Sequence, residues 1–152
     1  MHRDLALIVG LWAIDSAVDE AKERATKLKQ AVKNADARIA EITDELEAIA
    51  GRVAEAVRRE SEVNTELEKY VRRTQRTQAL LDGHQAVDFV TVEKQLVQCK
   101  EHVSRLEDGL LEILDGIETL QAAAAVLEQE RERTRKSKAE SHDLWVSEGR
   151  KI

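Results

Sequence analysis

Residues 39–57 read "IAEITDELEAIAGRVAEAV". Ile39, Ile42, Leu46, Ile49, Val53 and Ala56 are spaced alternately by three and four, with charged or small residues in the intervals. That alternation averages about 3.5 residues, the repeat of a helix that buries one narrow stripe against another helix. The stripe extends both ways. Toward the N-terminus it takes in Leu7, Leu11, Ile14, Val18, Ala21, Ala25, Leu28, Val32 and Ala35. Toward the C-terminus it continues through Glu60, Val63, Leu67, Tyr70, Thr74 and Thr77 to Leu81. About 75 residues, ~110 Å at 1.5 Å each, therefore read as one continuous helix, with Glu60, Thr74 and Thr77 as its polar faults.

After Leu81 the stretch "DGHQAVDF" interrupts the pattern, and Gly83 is suited to the left-handed conformation that ends a helix. A second stripe then runs through Val92, Leu96, Cys99, Val103, Leu106, Leu110, Ile113, Ile117, Leu120, Ala124 and Leu127. Its later positions are Arg131, Thr134, Lys138 and Ser141. Thr91 is the expected N-cap of this helix. Two such helices joined by a short break bury their stripes against each other, because a stripe left in water forfeits the burial energy that holds a long helix together. The expected fold is all-α: a long antiparallel two-helix coiled-coil hairpin, an elongated rod. It forms one domain over residues 1–152, with a helix over about 4–81, a tip at 82–90 and a helix over about 91–146. Leu81 set against Val92 fixes the register, which places Leu127 near Leu46, Trp145 near Leu28 and Val57 beside Leu114.

Composition agrees. The chain has no proline, six glycines and 3% aromatic residues, while 36% of its residues are charged. This suits paired helices better than a globule with a thick core. The net charge of −6 argues mildly against general DNA binding. The single cysteine, Cys99, excludes an intrachain disulfide and any ribbon built from four cysteine ligands, and a reducing cytoplasm is the expected location. The apolar opening "LALIVGLWAID", residues 5–15, follows His2 and Arg3, but Asp4 interrupts the basic start of a signal peptide and the pattern runs on as helix. Ten apolar residues rise only ~15 Å, about half of a bilayer core, so no membrane insertion is expected.

In this register the first helix outruns its partner, and residues before about 25 have nothing opposite them. Leu5, Ile8 and Trp12 widen the apolar face beside Leu7, Leu11 and Ile14 beyond what two strands need. Leu5, Ile8, Leu11 and Trp12 are therefore expected to bind a partner or to make a homo-oligomer through this N-terminal overhang, with Leu144, Trp145 and Val146 as a second contributor. Gly109, Gly116 and Ala123 recur every seven residues on one flank of the second helix. Each exposed glycine costs a helix about 1 kcal/mol relative to alanine. Two explanations stand: the stems of Arg52 and Arg59 lie across the gap, or another chain packs closely there.

Catalysis needs a pocket with convergent groups, and the sequence holds no phosphate-cradling glycine loop and no nucleophile elbow. The expectation is no enzyme, no metal and no cofactor. Cys99 and His102 are three apart, but two ligands make half a site and Cys99 occupies a stripe position. Lys69, Arg72, Arg73 and Arg76 approach the tip on one helix, with Lys94, Lys100 and His102 on the other. This cluster is a candidate nucleic-acid contact, weighed against a solvated, salt-bridged surface because Glu66, Glu68, Asp82, Asp88, Glu93 and Glu101 share the region. The run "RERTRKSK" at 131–138 is mixed with acids in the same way.

"DLALIVGLWAIDSAVDE" (residues 4–20) and "RRTQRTQALLDGHQAVDFVTVEKQLVQCKEHVSRLEDGLLEILDGIETL" (residues 72–120) resemble bacterial proteins that pair a long coiled-coil hairpin with a C-terminal zinc ribbon. The likeness covers most of residues 4–127, and the irregular tip at 72–95 carries most of it because heptads do not dictate its residues. The resemblance implies a cytoplasmic, non-enzymatic adaptor linked to flagellar or secretion regulation, with a sigma factor or a secretion or flagellar component as partner. The four-cysteine ribbon has no counterpart after Leu127, so zinc and the ribbon's nucleic-acid role do not carry over.

The combined expectation is a coiled-coil adaptor that binds protein partners through two surfaces. One is the tip, with Gly83, His84, Val87 and Phe89. The other is the apolar base. Two alternatives remain open: RNA or nucleic-acid binding through Lys69, Arg72, Arg73, Arg76 and Lys94, and a purely structural oligomeric spacer.

Overall fold

A computed structural model describes residues 2–83 and 88–151. Helix α1 spans His2–Asp82 and helix α2 spans Phe89–Lys151, with contacts between them, so the fold is an all-α helical hairpin. Contacts group the chain into two compact units: Met1–Leu46 with Ala125–Ile152, and Glu47–Ala124.

In the unit formed by Glu47–Ala124, α1 ends at the glycine the pattern singles out. The Gly83 amide donates to the Ala79 carbonyl at 2.9 Å, closing the last turn. Helix α2 starts three residues before the stripe, and its cap is Asp88 rather than Thr91. The Asp88 carboxylate accepts the amides of Val90 and Thr91, and the Thr91 hydroxyl donates to it at 2.7 Å. Thr91 lies inside the first turn and steadies the cap instead of being it. Those donors, the Thr91 hydroxyl first, hold the Asp88 carboxyl below the usual carboxylate range. The stripe residues Val92, Leu96, Cys99 and Ile117 are buried. The polar faults are accommodated locally: Thr74 and Thr77 each donate to the carbonyl four residues earlier, at 2.8 Å, and Thr77 is only 7% exposed.

In the other unit Ala21 and Ile42 are buried, and Ile42 has no exposed surface at all. Here the α2 stripe turns polar, and ion pairs take over the register. Arg38 grips Glu130 with a two-pronged contact, Nε to Oε1 at 2.8 Å and a terminal nitrogen to Oε2 at 3.1 Å. Lys138 Nζ meets Asp36 at 2.5 Å, and Arg24 Nε meets Glu148 at 3.4 Å. The Glu130 carboxyl is held below its ordinary range, chiefly by the hydrogen bond from Arg38. In the Glu47–Ala124 unit, His102 sits against Glu66 and Tyr70. Arg24–Glu148 and Asp36–Lys138 fall within one residue of the register that opposes Leu81 and Val92, and Arg38–Glu130 and Glu66–His102 within five.

Helix α2 runs five residues beyond the expected end at 146, because Trp145 and Glu148 still face α1 from stripe positions and are partly covered. The overhang is correspondingly shorter than expected. Ala21 is buried and Val18 half-covered, so α1 is bare only before about Ser16 rather than before 25.

Two stability predictions follow from this packing. Ile42→Ala should cost about 3 kcal/mol in urea unfolding, and Ile42→Val about 1, since the site is fully enclosed. Carboxyls with folded pKa values below their unfolded ones contribute stability that is present above the unfolded value and lost as pH falls through the folded one. The melting temperature should therefore drop as pH is lowered below about 4. Asp88→Asn, which keeps a capping oxygen, should make that drop shallower.

Candidate interaction surfaces

The start of α1 carries a continuous set of exposed apolar side chains. Leu5, Leu7, Ile8, Val9, Leu11, Trp12 and Ile14 are each more than half exposed, Trp12 most of all at 72%. The sequence-derived residues Leu5, Ile8, Leu11 and Trp12 are thus brought together on one bare stretch, and Leu7, Val9 and Ile14 join them. Full burial of each such side chain is worth about 1.5–3 kcal/mol. With about 100° between successive residues, Asp4 and Asp15 fall inside the apolar arc, between Leu11 and Ile8. The surface is therefore apolar and acidic together. Of the second contributor, Leu144 is exposed while Trp145 is half-covered, with its ring edge-on to His142.

At the tip, Phe89 is 44% exposed and Val90 is exposed beside it, while Gly83 closes α1. His84 and Val87 lie outside the described residues.

Arg73 lines a groove with Tyr70, Gln95, Cys99 and His102, whereas Lys94 belongs to a different groove beside Val90, Val97 and Glu101. Lys69 lies 6.0 Å from the centre of the Tyr70 ring. Among the described residues, no ion pair engages Lys69, Arg72, Arg73, Arg76 or Lys94, while His102 of the same cluster faces Glu66 at 3.3 Å. Cys99 is buried in the seam, and His102 contacts Glu66 and Tyr70 instead of forming a ligand pair with it. Among the described residues no group of three or more His, Cys, Asp or Glu is placed to hold a metal ion.

The glycine flank of α2 opens onto a groove of about 740 Å³ within the Glu47–Ala124 unit. Ala48, Gly51, Arg52, Ala56 and Arg59 line it from α1, and Arg105, Gly109, Glu112 and Gly116 from α2. A Cβ placed on Gly51, Gly109 or Gly116 would meet nothing within 4 Å. The arginine stems therefore do not cover the glycines. Arg52 and Arg59 are themselves exposed. Arg105 and Gly51 were not singled out from sequence. Seven-residue steps from the Glu66–His102 contact set Arg59 opposite Gly109 and Arg52 opposite Gly116, the pairs the glycine period points to.

The residues that matter are thus a seam, a tip and two uncovered surfaces. The chain matches the CT398-like coiled coil hairpin domain over residues 11–147. It belongs to that family. The match takes in both helices and the turn, and it begins inside the apolar stretch at Leu11. No curated protein and no solved structure matches the chain. Among the described residues no helix is long and apolar enough to cross a membrane.

Gly109→Ala and Gly116→Ala should each stabilise the hairpin by about 1 kcal/mol, because a methyl group enters open space on a helix that glycine weakens. Thermal melts should rise by about 2–4 °C per substitution. An unchanged or lower midpoint would mean that the flank is already packed.

Proposed function

We propose that this hairpin is a non-enzymatic adaptor whose helices present docking surfaces to other proteins. Membership of a coiled-coil hairpin family suggests a structural or adaptor role. The observation that carries the finer reading is the bare apolar start of α1. Seven exposed apolar side chains in ten residues exceed what a solvated helix end needs, and contiguous patches of this kind mark interaction sites. Phe89 and Val90 give the tip a second, smaller surface. The first α1 contacts are Leu5, Ile8, Leu11 and Trp12, and Gly83 and Phe89 act at the tip.

The likeness of residues 4–20 and 72–120 to zinc-ribbon hairpin proteins supports a bacterial, cytoplasmic regulator acting on a sigma factor or on a secretion or flagellar component. A second reading is favoured by the unpaired cations Lys69, Arg72, Arg73, Arg76 and Lys94: an electrostatic contact with RNA or other nucleic acid. A purely structural spacer is the third.

Affinity capture of the tagged chain from its native cell extract, with and without nuclease, separates them. The adaptor reading predicts a protein that survives nuclease and is lost on Trp12→Ala or Phe89→Ala with helicity unchanged. Recovery that collapses with nuclease, and with added salt, would transfer the function to the basic cluster. Capture indifferent to both substitutions would leave the spacer.

A further inference from the structure

Two surfaces of this chain lack partners, and their chemistry is complementary. The first is the groove floored by Gly51, Gly109 and Gly116, where nothing lies within 4 Å of a Cβ position. Its rim carries Arg52, Arg59 and Arg105, none of which makes an ion pair among the described residues. Of its two acids, Glu55 is already engaged by Arg58. The second surface is α1 from Asp4 to Asp15, which is apolar over most of its circumference and carries Asp4 and Asp15 with no basic residue.

A concave groove needs a convex occupant, and a single helix about 10–12 Å across is the natural one. Along α1 the groove runs from Ala48 to Val63, sixteen residues, which leaves room for the twelve bare residues from Asp4 to Asp15. At 1.5 Å per residue the occupant is the shorter of the two and fits within the groove's length. Pairing two copies of the apolar start with each other is disfavoured, because Asp4 and Asp15 lie within the apolar arc and would be buried against like charge. Against the arginine rim the same carboxylates are neutralised.

We propose that the apolar, acidic start of α1 from a second copy of this chain seats in the arginine-rimmed, glycine-floored groove. The contact is heterologous, one surface meeting a different one, so it builds rings or open chains of copies rather than a face-to-face pair. It rests on the reading of the α1 start as a docking surface, and it names the occupant's receptor.

Sedimentation equilibrium of the full chain, over a concentration series at low and moderate salt, tests it. The wild type should gain mass with concentration, less so as salt screens the charges. Trp12→Asp should remove association by spoiling the insert. Gly109→Leu with Gly116→Leu should remove it by filling the groove, and Arg52→Glu with Arg59→Glu by reversing the rim, each weakening binding about tenfold or more. The glycine substitutions raise helix propensity, so circular dichroism melts at or above the wild-type midpoint exclude misfolding as the cause. A mixture of the Trp12→Asp chain with the groove-filled chain should form a one-to-one complex, since each retains the half the other lacks. A wild type that stays monomeric throughout the micromolar range would overturn the proposal. So would a groove-filled chain that associates as the wild type does, or a mixture that fails to pair. If the groove-filled chain still captures a nuclease-resistant partner that Trp12→Ala loses, the adaptor reading stands while this inference fails.

Discussion

The seam between α1 and α2 governs everything else in the molecule. Burial of alternate third and fourth residues is the only large apolar contribution available to two helices, and it is shallow: a helix with one neighbour covers one stripe and leaves the rest wet. Few of the described side chains are buried, among them Leu96, Cys99, Ile117 and, completely, Ile42, while most seam residues are half-covered. Long helices of this kind hold together by summing many partial burials, so every interruption of the stripe has to be compensated locally.

The compensations differ along the chain. Within Glu47–Ala124 the seam is apolar on α2, and of its polar members on α1, Thr74 and Thr77 return their hydroxyls to their own helix. Such bonds satisfy the group without demanding a partner across the seam. Within the unit of Met1–Leu46 and Ala125–Ile152, α2 presents Arg131, Thr134, Lys138 and Ser141 to the seam. There Arg38 with Glu130 and Lys138 with Asp36 link the helices, and charged contacts specify register where apolar ones no longer do. Exposed ion pairs add modestly to stability, so their value lies in excluding a slipped alignment, which would separate each pair.

The stripe spacing alone made the hairpin, its register and Gly83 at the end of α1 legible, because burial on a straight helix depends on sequence position and little else. Helix ends were less legible. Thr91 satisfies the composition rule for a cap, but the Asp88 carboxylate accepts two backbone amides and the Thr91 hydroxyl at once, which the rule does not weigh. The end of α2 was placed at 146 because a polar stripe reads as no stripe, although Glu148 remains partly covered and faces Arg24. Among candidate contacts, the exposed set around Trp12 was legible as an excess of apolar residues over the seam's needs. The groove was half legible: the glycine period was visible, but whether Arg52 and Arg59 fold over it depends on side-chain direction, which no spacing encodes.

Folding by itself would favour a different sequence in two places. Polar residues at 5–14 would solvate the bare start of α1, and alanine at 109 and 116 would strengthen α2 at no steric cost. Both departures lower the stability or solubility of the isolated hairpin, and neither is offset by a contact among the described residues. A fold with so shallow a core has little surplus to lose in this way. Substituting either place separates what the helices need in order to pair from what they present once paired. A chain that folds better with alanine at 109 and 116 but associates less would locate the compensation outside the single molecule.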